Sequence, residues 1–275
     1  MSGAPASGMH IDNQAAAHGE SLPLAGRTLA VTRPLEQAGS LCRRIEAAGG
    51  TAIRFPVLAI APAPDPAQLE AIVPRLDEFD LAFFVSPNAI HHALEFVLAR
   101  RAWPAGLRVA TVGKGSERVL LERGFRDPVV PQDGFDSESV LALPEFSAGA
   151  IRDRKVLIFR GDGGRDLIRD TLRERGAHVE YVTCYRRYCP KLDPAILLQP
   201  AAHGKLDGLL LTSSEGVRNL CSMFGAGDLR VLQAVPVFAS HARIAAEARE
   251  AGFAVVIETP AGDEGLLQAL TRHFG

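Results

Sequence analysis

Apolar positions along the chain fall into short dense runs and longer spaced stripes, and the two alternate. Thr28–Thr32 and Val156–Phe159 are β-rich runs bounded by charge, the pattern of a strand covered on both faces. After each, the apolar residues spread to a helical period. Leu35, Ala38, Leu41, Ile45 and Ala48 share one face ahead of Gly49-Gly50, and Leu167, Ile168, Thr171 and Leu172 precede Gly176. The glycines are expected to end these helices. Strand-like Thr51–Leu58 and His178–Tyr185 come next. Two apolar runs then stop abruptly at Ser86-Pro87-Asn88 and at Thr212-Ser213-Ser214-Glu215, and each feeds a further helix. Strands alternating with helices of roughly 10–15 residues make βα units and a parallel sheet. The 275 residues are enough for two such domains.

The pattern also repeats. Asp80-Leu-Ala-Phe-Phe-Val-Ser-Pro-Asn aligns with Asp207-Gly-Leu-Leu-Leu-Thr-Ser-Ser-Glu, an offset of 127 residues from Asp80 to Asp207. The same offset carries Arg27–Arg33 onto Arg154–Arg160 and Arg108–Ser116 onto Val235–Arg243. Each half therefore holds the same series of elements, and the fold class expected is α/β with two doubly wound parallel-sheet domains. Ligands of such sheets bind beyond the carboxyl ends of the strands.

Composition narrows the function. An apolar fraction of 47% with 23% charged residues is that of a globular protein. Charge or glycine interrupts every apolar run before the roughly 18–20 residues of a membrane span, so no membrane association is expected. A net charge of −2 with scattered basic residues gives no footprint for nucleic acid, and any anionic ligand must be held by local groups. The four cysteines, Cys42, Cys184, Cys189 and Cys221, have no zinc-like spacing and read as free thiols of a cytoplasmic protein. Residues 1–23 show neither a basic nor an apolar signal-peptide region, and we expect a disordered tail over residues 1–25.

Candidate chemistry sits where strands end. Ser86 with Pro87 reads as the N-cap and first residue of a helix; no G-x-S-x-G elbow or positioned base supports a nucleophile. A helix start is also an anion site, and cap and anion site are compatible for Ser86, Pro87 and Asn88. In the second copy either Thr212 or Ser213 can cap, with Ser214 beside them. The loop Arg160-Gly161-Asp-Gly-Gly-Arg165 matches no nucleotide-binding motif, yet three glycines and two arginines suit close approach to an anion. Its counterpart keeps only Arg33. Gly113, Lys114 and Ser116 form a further strand-to-helix turn, and its repeat mate carries His241 and Arg243. Tyr185 closes a strand and reads first as a half-buried packing residue with a satisfied hydroxyl, a direct role being the lesser alternative.

These pieces together, FVSPNAI, TVGKGS, FRGDGGRDLIRDTLRERGAHVEYVTCYRR, LLTSSEGVRNL and ASHARIAAEA, resemble uroporphyrinogen-III synthases of the bacterial type from about Gly26 to Leu270. The resemblance implies two α/β domains joined by a two-stranded connector, with the substrate in the cleft. It assigns residues 26–57 and 188–275 to one domain and 58–187 to the other. It also implies cofactor-free, metal-free cyclisation of hydroxymethylbilane with inversion of ring D and loss of water, a lyase reaction; a monomer is expected.

By the family's pattern Tyr185 would assist departure of the hydroxyl. Ser86, Ser116 and Ser213 match cleft-facing hydroxyls, and Arg243 stands where some relatives have threonine. Arg33, Pro87, Asn88, Gly113, Lys114, Arg160, Gly161, Arg165, Ser214 and His241 complete the expected carboxylate-binding set. The alternative from another class is a non-catalytic two-lobe α/β protein that binds a small molecule.

Overall fold

The computed structural model describes residues 22–134 and 136–275. Ten strands are formed among these: β1 (Thr28–Val31), β2 (Thr51–Arg54), β3 (Ala59–Pro62), β4 (Leu81–Phe84), β5 (Arg108–Thr111), β6 (Lys155–Gly161), β7 (His178–Tyr188), β8 (Gly208–Leu211), β9 (Val237–Ala239) and β10 (Val256–Glu258). They make two five-stranded sheets, in the orders β10-β9-β8-β1-β2 and β3-β7-β6-β4-β5. Every pairing among these strands is parallel except that of β3 with β7. The protein is thus a two-domain α/β structure with mostly parallel sheets.

Strands related by the 127-residue repeat occupy the same places in the two sheets. The row β2-β1-β8-β9-β10 matches β7-β6-β4-β5, beyond which Ala110 bridges Val129. Each half of the chain has nevertheless given its first strand pair to the other half's sheet: β1 joins β8, and β6 joins β4. A matched clasp marks both junctions. Asp207, just before β8, accepts from the Arg27 guanidinium (3.0 Å) and the Thr28 N–H (2.8 Å). Asp80, just before β4, accepts from the Arg154 guanidinium and the Lys155 N–H, both at 2.8 Å.

Alternation along each buried strand fills both faces of its sheet. Ala82, Phe84, Leu157 and Phe159 pack under the helix Pro87–Leu98, whereas Leu81, Phe83, Val156 and Ile158 pack under the helix Leu167–Glu174. The Phe84 and Phe159 rings stack at 5.0 Å. In the other sheet Ala30, Leu209 and Leu211 face the helices Ser214–Ser222 and Ala242–Glu250. Leu29, Val31 and Leu210 face the helices Leu35–Ala47 and Gly262–Phe274.

Three expectations need correction. Leu35 is exposed, because it opens its helix before the apolar face meets the sheet; Ala38, Leu41, Cys42 and Ile45 carry the burial. Thr51–Leu58 is not one strand: β2 ends at Arg54, Pro56 has no N–H to donate, and β3 starts afresh in the other sheet. The tail expected over residues 1–25 lies mainly outside the described residues, but Leu22–Ala25 form a turn in which Leu24 is fully buried and its N–H donates to the Ala48 carbonyl. That turn packs on Gly49-Gly50, where a side chain would collide with Leu22 and crowd Leu24.

Candidate functional site

At the carboxyl ends of β4, β6 and β7, Ser86, Arg160, Gly161, Arg165, Tyr181, Tyr185 and Arg187 line a cavity of about 420 Å³. Ser86 caps the helix Pro87–Leu98, its Oγ accepting the Ala89 N–H at 3.2 Å. The same oxygen lies 3.1 Å from the Tyr185 hydroxyl. Pro87 has no N–H, and the Ile90 N–H is taken by the Ser86 carbonyl. Asn88 is therefore the residue of this turn whose N–H is left to meet a ligand, with the positive end of the helix behind it.

Tyr185 reaches this place through a bulge. Val182 and Cys184 point into the core beneath Pro87–Leu98, so strict alternation would send Tyr185 to the opposite face with Tyr181. Between Arg160 and Gly161 the register of β6 against β7 slips by one residue, pairing Gly161 with Tyr185. The slip turns Tyr185 onto the same side as Cys184. The residue is only 5% exposed there, its ring stacked on the His92 imidazole at 5.9 Å and 22°. Burial pushes the Cys184 thiol up to about 12, so it stays protonated and donates to the Arg160 carbonyl at 3.2 Å. Desolvation likewise lowers the His92 imidazole below its ordinary value, opposed by Glu95 and Glu36.

The arginines around the cavity carry acidic partners of their own. Arg160 lies over the Tyr181 ring at 4.6 Å and donates to Asp166 at 2.7 Å, which holds that carboxyl below the usual carboxylate range. Tyr181 also donates to Asp166, and burial raises its phenol. Arg165 pairs with Glu138. Arg187 reaches Glu215, in the first turn of the helix Ser214–Ser222, at 3.5 Å. Any anion entering here would meet cations already balanced and would have to displace these carboxylates.

The other expected residues lie apart from this cavity. Gly113 opens the helix Lys114–Glu122 at the end of β5; Lys114 pairs with Glu117 at 3.1 Å, and Ser116 is buried in the first turn. At the carboxyl ends of the second sheet, Ser213, not Thr212, is the cap, accepting the Gly216 N–H at 2.9 Å. Ser214 beside it has a buried hydroxyl with no hydrogen-bond partner among the described residues. Arg33 is tied to Asp263. The His241 ring nitrogen Nδ1 caps its own helix by accepting the Arg243 N–H at 3.2 Å.

Sequence reasoning gave no role to His92, Tyr181, Asp166 or Arg187, although His92 follows Ser86 on the same helix and Arg187 belongs to the basic pair within Tyr-Arg-Arg-Tyr. A larger cavity of about 650 Å³, lined by Asp80, Arg108 and Arg154, opens at the amino ends of β4–β6, the end of a parallel sheet that does not gather helix N-termini.

The family model described as uroporphyrinogen-III synthase HemD matches residues 40–268. The uroporphyrinogen-III synthase of Escherichia coli (strain K12) is 32% identical over 197 residues, covering 71% of this chain and 79% of that one. That of Synechococcus elongatus is 28% identical over 207 residues, 74% of this chain and 77% of the relative. A crystal structure of a mutant uroporphyrinogen III synthase from the extremely thermophilic bacterium Thermus thermophilus aligns with a TM-score of 0.57 at 20% identity, over 90% of this chain and 98% of that one, a likeness of fold. With the model spanning most of its length and the E. coli enzyme covering more than two thirds of it, the chain belongs to the uroporphyrinogen-III synthase family.

Proposed function

We propose that this enzyme closes the linear tetrapyrrole hydroxymethylbilane to uroporphyrinogen III as a lyase, with loss of water and inversion of ring D. The observation that supports a chemical role for the cavity is the Tyr185 hydroxyl, desolvated on its ring side and 3.1 Å from Ser86 Oγ. Loss of hydroxide from a pyrrolic hydroxymethyl group needs a proton or hydrogen-bond donor, and a phenol O–H can serve as one. In this reading Tyr185 donates to the departing oxygen. The resulting azafulvene is then attacked by the substituted carbon of ring D, and the spiro intermediate fragments and recloses with that ring inverted.

Binding is assigned to the strand ends. Substrate carboxylates would meet the helix starts at Ser86-Pro87-Asn88, Gly113-Lys114 with Ser116, Ser213-Ser214 and His241-Arg243, together with Arg33, Arg160 and Arg165. Closure without rearrangement is the easier path in solution, so holding the folded chain in the geometry of attack is most of the catalytic task. The same reading gives domains of residues 26–57 with 188–275 and of 58–187, a division supported by the membership of the two sheets. It takes the enzyme as a cytoplasmic monomer that works without a cofactor. No helix among the described residues is long and apolar enough to cross a membrane.

The test is incubation with freshly prepared hydroxymethylbilane, oxidation of the products and separation of the type I and type III isomers. Type III in excess of the enzyme-free control is expected, and type I alone would overturn the reading. The relatives named above are synthases and lend no support to a non-catalytic two-lobe binding protein.

A further inference from the structure

Gly161 ends β6 and is buried, and its backbone is not in the left-handed region that glycine alone adopts freely. Gly163 and Gly164, two and three residues on, do lie there, at φ +74° and +111°. Conformation therefore accounts for the later glycines and not for Gly161. Space accounts for it. A Cβ at 161 would stand 2.6 Å from Cε2 and Cζ of Tyr185 and 3.0 Å from its hydroxyl oxygen. Ordinary contact between carbon atoms begins near 3.5 Å.

The ring has little freedom to yield. The Tyr185 carbonyl accepts the Asp162 N–H at 3.0 Å, which fixes the backbone at the bulge. Its ring stacks on His92, and its hydroxyl is held at Ser86. The loop motif suggests a glycine that lets a substrate anion approach the main chain. The atoms that fill the space over Gly161 are instead those of the phenol.

We propose that Gly161 is a positioning residue for Tyr185: the missing side chain lets the phenol lie against the end of β6 and so sets where its hydroxyl meets the cavity. This rests on the reading of Tyr185 as the donor. Relieving the collision requires a shift on the order of 1 Å, and a misplacement of that size costs about 100-fold in rate.

The test is a double-mutant cycle on the full chain, reading kcat, KM and the type III to type I ratio. Gly161→Ala is expected to lower kcat by about 10- to 100-fold with KM changed less than about threefold, and to raise the type I fraction as released substrate closes by itself. In a Tyr185→Phe background, itself about 100-fold slow, the same change should cost less than about threefold, because no hydroxyl remains to misplace.

A melting series separates position from folding. Gly161→Ala should lower Tm beside Tyr185 but hardly at all beside Tyr185→Ala, where the ring is gone. Equal Tm losses in both backgrounds, or full additivity of the two kinetic effects with Tyr185→Phe slow, would overturn the positioning role. Wild-type turnover by Tyr185→Phe would instead overturn the donor reading beneath it.

Discussion

The hydroxyls of Ser86 and Tyr185 meet at 3.1 Å across 99 residues of sequence, so one oxygen both caps a helix and orients a phenol. The two functions separate on mutation. Tyr185→Phe keeps the packing and should reduce kcat by about 100-fold. Ser86→Ala should cost less than about tenfold in kcat but about 1 kcal/mol in stability, through the lost cap. Steady-state rates and denaturant melts on both variants decide it, and equal kinetic losses would count against Tyr185 as the donor.

Burial disfavours the charged form of the His92 imidazole in the folded protein, so its titration lies below the ordinary value of 6.5 that holds in the unfolded chain. Stability from this residue is therefore complete above 6.5 and declines as pH falls below it. Urea melts at about pH 7.5 and about pH 5.5 should show a larger acid loss for the wild type than for His92→Gln. Parallel losses in both proteins would refute the assignment.

Glu215 competes for Arg187 at 3.5 Å, with both side chains about one third exposed. Pairs of that kind contribute about 0–1 kcal/mol, so freeing the guanidinium with Glu215→Gln should lower KM by up to about fivefold and leave kcat unchanged. The KM of the variant should also respond more steeply to salt than that of the wild type, because its unpaired guanidinium presents a net charge to the substrate. A raised KM in Glu215→Gln would show that the carboxylate supports substrate binding.

The two aspartate clasps are alike in partners but not in exposure. The side chain of Asp207 is 18% exposed, that of Asp80 37%. Removing either leaves a strand-start N–H and a guanidinium without their acceptor, and the less hydrated site should suffer more. Asp207→Ala is expected to destabilise by about 1–3 kcal/mol and Asp80→Ala by less, as read from urea midpoints. The reverse order would mean that the clasps do not hold the exchanged strands.

What is legible in the sequence follows from what is local. The strand runs, the glycines that close helices and the caps at Ser86 and Ser213 depend on neighbours within a few residues, and the repeat lets one copy check the other. Phe55–Leu58 reads as the tail of a strand because apolarity alone does not say which sheet receives it. The Tyr185 site is hidden for a sharper reason: period-two alternation sends that ring to the wrong face, and only the slip opposite Gly161 reverses it. The acidic partners of Arg33, Arg160 and Arg187 are equally invisible, since Asp263 and Glu215 come from distant segments and Asp166 from across a glycine turn.

The exchange of first strand pairs also dictates an order of birth. The sheet built from β3 to β7 is complete in sequence once Tyr188 has been made, whereas β1 must await β8, whose clasp residue Asp207 lies 180 residues beyond Arg27. At roughly 5–20 residues per second, the first strands to leave the ribosome wait on the order of 10–40 s with one edge open. The earliest-made strands of this protein are thus paired only when its later sheet is built, and the chain up to Tyr188 carries every strand of one sheet but only two of the other.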